Sequence, residues 1–175
     1  MATFDMPMLN SHTKPDNSGN VYWEPLSAVF STVVGAYDPD ILAFAGQSSR
    51  EGVITKINIP QNYSSGAGNP TIVVDWSATV TANSVVWYWD YLVVRGNDTA
   101  SYASTTPTSS GTVSDVAPGT ARSRLNVVST NGMGATRFSP GDEVMFRFSR
   151  DGGDASDSIA ATVWLFNLMF RYNDT

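Results

Sequence analysis

The chain reads as an all-β protein: an eight-stranded antiparallel jelly-roll sandwich preceded by an extended N-terminal arm. Three observations predict this. From Asp40 onward, short runs rich in β-branched and aromatic residues recur along the chain. Clusters of Gly, Asn, Pro and Ser separate them. Within the runs hydrophobicity alternates with period two: Val144, Phe146 and Phe148 share one face, and Arg147 and Ser149 the other.

The elements follow in order. Residues 1–20 are polar, carry Pro7 and Pro15, and show no apolar period, so they read as the arm. Over residues 22–37, Trp23, Leu26, Val29, Phe30, Val33 and Val34 fall at helical spacing, with Pro25 suited to a first helical position and Gly35 to a stop. The β-branched Val29, Thr32, Val33 and Val34 argue for a strand there instead; the expectation is a short helix or an apolar turn. The organisation is thus an arm over 1–39 and a sandwich over 40–175. The eight strands are expected at Ile41–Ala45, Gly52–Ile59, Thr71–Thr79, Ser84–Arg95, Gly111–Val116, Arg124–Ser129, Asp142–Arg150 and Ala161–Tyr172. Turns are expected at Ala82-Asn83, Pro118-Gly119, Asn131-Gly132 and Ser139-Pro140-Gly141, among others. An immunoglobulin-like sandwich is the alternative topology.

Two strands break the one-face rule. In Ser84–Arg95, Val85, Trp87, Trp89, Tyr91 and Val93 oppose Val86, Tyr88, Leu92 and Val94, with only Asp90 polar. In the last strand, Trp164, Phe166, Leu168 and Phe170 oppose Val163, Leu165 and Met169. A sandwich strand turns one face to its own core. The second apolar face is therefore expected to meet the arm, another subunit or a ligand. The expected contact residues are Phe4, Met6, Tyr22, Trp23, Leu26, Phe30, Tyr88, Leu92, Val163, Leu165 and Met169.

Composition narrows the function. The 175 residues suit one domain and contain no cysteine, which excludes disulfides and thiolate metal sites. The single histidine, His12, lies in the polar arm, so a Ser-His-Asp triad or a multi-histidine zinc site has no imidazole in the sandwich. A net charge of −6 argues against nucleic acid and anionic lipid as partners. No apolar run reaches membrane-spanning length, and the first residues lack a secretory pattern.

Asp151, Asp154 and Asp157, with Gly152 and Gly153 between them, are weak candidates for a metal loop. Their spacing does not match a calcium-binding loop, and the expected reading is a strand connection whose carboxylates bond local backbone N–H groups. Arg150 is placed to pair with one of them. The glutamates Glu24, Glu51 and Glu143 show no pairing suited to glycoside hydrolysis. Trp76, Trp87, Tyr88 and Trp89 offer a sugar-stacking platform, with Tyr88 the exposed candidate and Trp87 and Trp89 in the core. The chain is expected not to be an enzyme and to carry no cofactor.

Four stretches carry a family resemblance: Asn20 to Pro25, Ile57 to Tyr63, Ser84 to Tyr91, and Gly141 to Gly152 followed by Asp157 and the closing apolar strand. In these the chain resembles small jelly-roll virion proteins of tailed bacteriophages, of the capsid decoration or cement type. The resemblance implies a homotrimer that bridges major capsid protein subunits on the outside of a virion, made in the host cytoplasm, with no catalytic residues. The alternative is a carbohydrate- or receptor-binding β-sandwich module of a tail fibre or baseplate.

Overall fold

The computed structural model describes residues 2–9, 13–15, 21–25, 40–45, 49–95, 107–121, 123 and 125–174; of residues 15, 22–25 and 40 it describes the backbone alone. The eight strands expected from Asp40 onward are all present: β4 (Asp40–Phe44), β5 (Arg50–Asn58), β6 (Thr71–Ala78), β7 (Ser84–Val94), β8 (Ser109–Val116), β9 (Leu125–Ser129), β10 (Glu143–Asp151) and β11 (Val163–Asn173). Three more strands precede them: β1 (Thr3–Pro7), β2 (Lys14–Pro15) and β3 (Val21–Pro25).

The strands form two antiparallel sheets. One runs β3-β4-β11-β6-β9, with β1 also paired to β11; the other runs β2-β5-β10-β7-β8. From β5 to β11 the chain passes repeatedly between the sheets, and their inner faces close one core.

The arm is built into these sheets. β1 lies along the second half of β11, Thr3 opposite Asn173 and Pro7 opposite Met169, while β2 pairs with β5. The helical spacing read across 22–37 gives way to a strand over Val21–Pro25, because β4 offers its backbone as a ladder partner from Phe44 to Asp40. Residues 26–39, including Leu26 and Phe30, lie outside the described residues, as do the side chains at 22 and 23.

Aromatic rings fill the core. Trp87 stacks on Phe148 at 5.2 Å between centroids and meets Phe44 and Trp76 edge-on at 5.6 and 6.0 Å. Trp76, Trp87 and Trp89 are wholly buried, as is Tyr91 but for a trace of its surface. The turns use the residues their backbone demands: Asn83, Gly132 and Gly141 all adopt left-handed conformations, with φ of 77°, 71° and 84°. The 130–137 segment is fastened to the core by two phenols. Tyr91 donates to the Gly132 carbonyl at 2.7 Å, and Tyr63 to that of Ala135 at 2.8 Å. Burial, aided by the neighbouring Tyr91, pushes the Tyr63 phenol up to about 12.

The closing strand departs from the expected alternation. Its register shifts between Leu165 and Asn167, so Phe166 is an extra residue, and the faces exchange beyond it. Val163 and Leu165, expected outside, join Leu168, Phe170 and Tyr172 in the core. Met169 does lie outside, half-buried opposite Val73. The outward Trp164 is only 6% exposed and packs with Ile41, Ala43 and Phe166 in a second apolar cluster. On β7 the outward Val86 and Val94 are also buried, with Tyr88 and Leu92 half-buried. Both faces of these strands are therefore largely covered within the single chain.

Gly111 of β8 marks a close approach. A Cβ there would stand 2.2 Å from the Asn131 carbonyl oxygen and 2.7 Å from the Trp89 indole. Gly111→Ala is expected to destabilise the fold by about 1–3 kcal/mol, read as a lower urea midpoint with an unchanged slope.

Candidate functional site

The acidic stretch after β10 does not gather its carboxylates. Asp151 pairs across the ladder with Arg50. Asp154 accepts from the Ser156 N–H at 2.8 Å, closing a local turn. Asp157 points inward and makes a two-pronged ion pair with Arg150, at 3.0 and 2.8 Å, with both side chains essentially sealed from water. Arg150 also donates to the carbonyls of Phe44, Ile159 and Ala161. Among the described residues no three acidic or histidine side chains come together as a metal site. Glu51 and Glu143 lie at opposite ends of the β5–β10 ladder, so the glycosidase geometry of two facing carboxylates is not made by them.

The aromatic platform is also not open. Trp76, Trp87 and Trp89 are in the core, and the Arg50 guanidinium lies 3.5 Å above the centre of the Tyr88 ring. A sugar would have to displace that cation to stack on Tyr88.

A different place has room for a ligand. Where β1, the start of β6 and the end of β11 meet, a groove of about 330 Å³ is lined by Thr3, Asn69, Thr71, Arg171, Tyr172 and Asn173. That volume lies at the lower end of ligand-sized pockets. The ladder sets its walls, since Thr3 stands opposite Asn173, and Arg171 is flanked by Asp5 on β1 and Thr71 on β6.

Its polar groups are held firmly. Thr3 donates to the Asn173 side-chain oxygen at 2.8 Å, Asn173 donates to the Ala67 carbonyl at 3.1 Å, and Asp5 takes two bonds from Arg171 at 2.6 and 2.9 Å. The Asn69 side-chain oxygen accepts the Ala135 N–H at 3.0 Å, and the residue lines the groove. The Thr71 hydroxyl is buried with no partner. Tyr172 donates to Asn62 at 3.1 Å, and Phe4 stacks on its ring at 5.5 Å.

The Arg171 hydrogen bonds hold the Asp5 carboxyl below the usual carboxylate range, against a weaker effect of burial, and Asp5 in turn raises Arg171. The groove is thus lined by a paired cation, an asparagine and two threonines beside an aromatic pair. It does not provide a nucleophile with a base.

No protein-family model and no curated protein matches the sequence. Solved structures do resemble the fold. An isomalto-dextranase of Arthrobacter globiformis T6 complexed with panose superposes with a TM-score of 0.51 at 11% identity, over 97% of this chain and 23% of that one. An arabinose-bound α-L-arabinofuranosidase gives 0.50 at 12% identity, over 95% and 24%. A carbohydrate-binding module of a Cellvibrio mixtus lichenase, in complex with cellotriose, gives 0.49 at 12% identity, over 99% and 98%. What the chain shares with the two enzymes is the fold. It spans about a quarter of the length of the two enzymes and nearly all of the module.

Of the described residues singled out from sequence, only Phe4 adjoins the groove, through Tyr172. Asn69, Thr71, Arg171 and Asn173 were not legible as a site, because Asn, Thr and Arg at strand ends are ordinary residues until the fold brings them together.

Asp157→Asn is expected to cost about 3–5 kcal/mol by leaving Arg150 buried without its counter-charge, with a lowered melting temperature that calcium does not restore. For Asp5 the folded value lies below the unfolded one. Its support for β1 is therefore present above about pH 4 and lost as pH falls through the folded value. The melting gap between wild type and Asp5→Asn should accordingly narrow to nothing in acid.

Proposed function

We propose that this chain is a non-catalytic carbohydrate-binding β-sandwich module whose ligand seat is the groove between β1, β6 and β11. The observation that carries the reading is the polar lining of that groove. A buried hydroxyl without a partner, on Thr71, sits beside the Asn69 amide and the Arg171 guanidinium. Leaving such a group unpaired is costly, and a rotation of the Thr71 side chain toward the groove would let a ligand hydroxyl satisfy it. Vicinal sugar hydroxyls are simultaneous donors and acceptors and suit a set of this kind. The volume of about 330 Å³ limits the seat to a short stretch of sugar.

The fold agrees with this reading, since it corresponds to about a quarter of an arabinofuranosidase and of an isomalto-dextranase. The shell-binding reading, with a homotrimer seated on a major capsid protein, drew on apolar outer faces of β7 and β11. Those faces are largely filled within the chain. A tail-fibre or baseplate setting is compatible with a sugar-binding module and would make the glycan a cell-surface one.

A glycan array followed by calorimetry tests the proposal. Binding to a neutral glycan is expected, weakened about fivefold by Thr71→Val, the loss of one neutral hydrogen bond, with an unchanged melting temperature. Tyr88→Ala should leave it intact. Binding that Thr71→Val does not touch would remove the groove from the proposal. A trimer by light scattering that binds no glycan would favour the shell role.

A further inference from the structure

The outer face of the β2-β5-β10-β7-β8 sheet has a character unlike the rest of the molecule. Among the described residues, four basic ones stand on it: Lys14, Arg50, Lys56 and Arg147. The ladder puts them there. Lys14 lies opposite Ile54, and Ile54 opposite Arg147, so all three point away from the core. Lys56 follows on the same face two residues along β5, and Arg50 is held there over the outward Tyr88 ring.

The acids of this face sit lower than its cations. In the pairs Arg50–Asp151, Lys56–Glu143 and Arg147–Asp90, the basic side chains are 39, 39 and 45% exposed, and the acidic ones 16, 24 and 9%. Each carboxylate holds its cation in place, and the basic side chain is the more exposed member of each pair. Lys14 is exposed and adds a fourth positive charge. Along β8, the exposed Ser110, Thr112 and Ser114 form a hydroxyl rim on the same side as Tyr88. In a chain of net charge −6, a sheet face whose described residues set four pre-positioned cations against three acids, with a hydroxyl edge, is a local exception.

We propose that this face binds a linear anionic polysaccharide, carboxylated or sulfated. Positive heads spaced along and across the strands meet the regularly spaced acid groups of such a chain, and the hydroxyl rim and the half-buried Tyr88 edge meet its sugar rings. The outer face of the sheet accepts a chain passing across its side chains, which the small groove does not. Nucleic acid is the less suitable polyanion, because among the described residues the face offers no exposed aromatic ring for a base to stack on. This surface is separate from the groove and does not rest on the reading given for it.

The full chain would be titrated with polygalacturonate and with dextran sulfate, with neutral galactan and single-stranded DNA as comparisons. Binding to at least one of the two acidic polysaccharides is expected, weakening on the order of tenfold between about 50 and 200 mM salt. Lys14→Glu and Asn58→Asp each place negative charge on the face without breaking an ion pair. Both should reduce this binding severalfold at unchanged melting temperature, while Thr71→Val leaves it intact. Failure to bind either acidic polysaccharide at low salt would overturn the proposal. So would binding that both charge variants leave unchanged, or a preference for DNA.

Discussion

The Arg150–Asp157 pair ties the two sheets together at one end of the sandwich. Arg150 belongs to β10, yet its guanidinium reaches the carbonyl of Phe44 on β4 in the other sheet, and those of Ile159 and Ala161 on the way to β11. Asp157 takes two of its N–H groups and also accepts the Val86 N–H of β7 at 3.1 Å. Burying two charges is expensive, and it is tolerated only where the polar atoms around them are satisfied. All five donors of this guanidinium have acceptors. The geometry leaves little freedom in how β10, the following loop and β11 are placed.

From that placement comes the path of β11, and from β11 the groove. The strand is shared: β4 covers its first residues, β1 its last, and β6 runs along the other side. The bulge at Phe166 lets one strand keep its inner face apolar on both sides of the bend, while delivering Arg171 and Asn173 to the outer end. β1 then closes the groove through the Asp5–Arg171 pair and the Thr3–Asn173 bond. The polar wall at this end and the cationic outer face of the second sheet are independent surfaces on one scaffold. Neither disturbs the aromatic core between them.

Much of the architecture was legible in the sequence because strand alternation and turn chemistry are local properties. Val53, Thr55 and Ile57 point inward and Lys56 and Asn58 outward, as period two requires. Asn83, Gly132 and Gly141 mark turns because their backbones demand φ > 0. The acidic stretch read as a turn with local carboxylate bonds, and Asp154 makes such a bond, whereas Asp157 belongs to a buried pair seven residues back in the chain. The faces of β11 were misread at Val163 and Leu165, because a single extra residue inverts alternation and leaves no mark in composition.

The sequence by itself determined an all-β chain, its eight principal strands and their turns, the aromatic core, and the absence of thiol or multi-histidine chemistry. Only the tertiary structure decided that the arm belongs to the sheets, that the second apolar faces are covered from within, and that Thr3 and Asn173, 170 residues apart, share one groove. The physical reason is range. Alternation and turn preference are written within a few residues, whereas a groove between the two ends of the chain exists only after the strands between them have found their places.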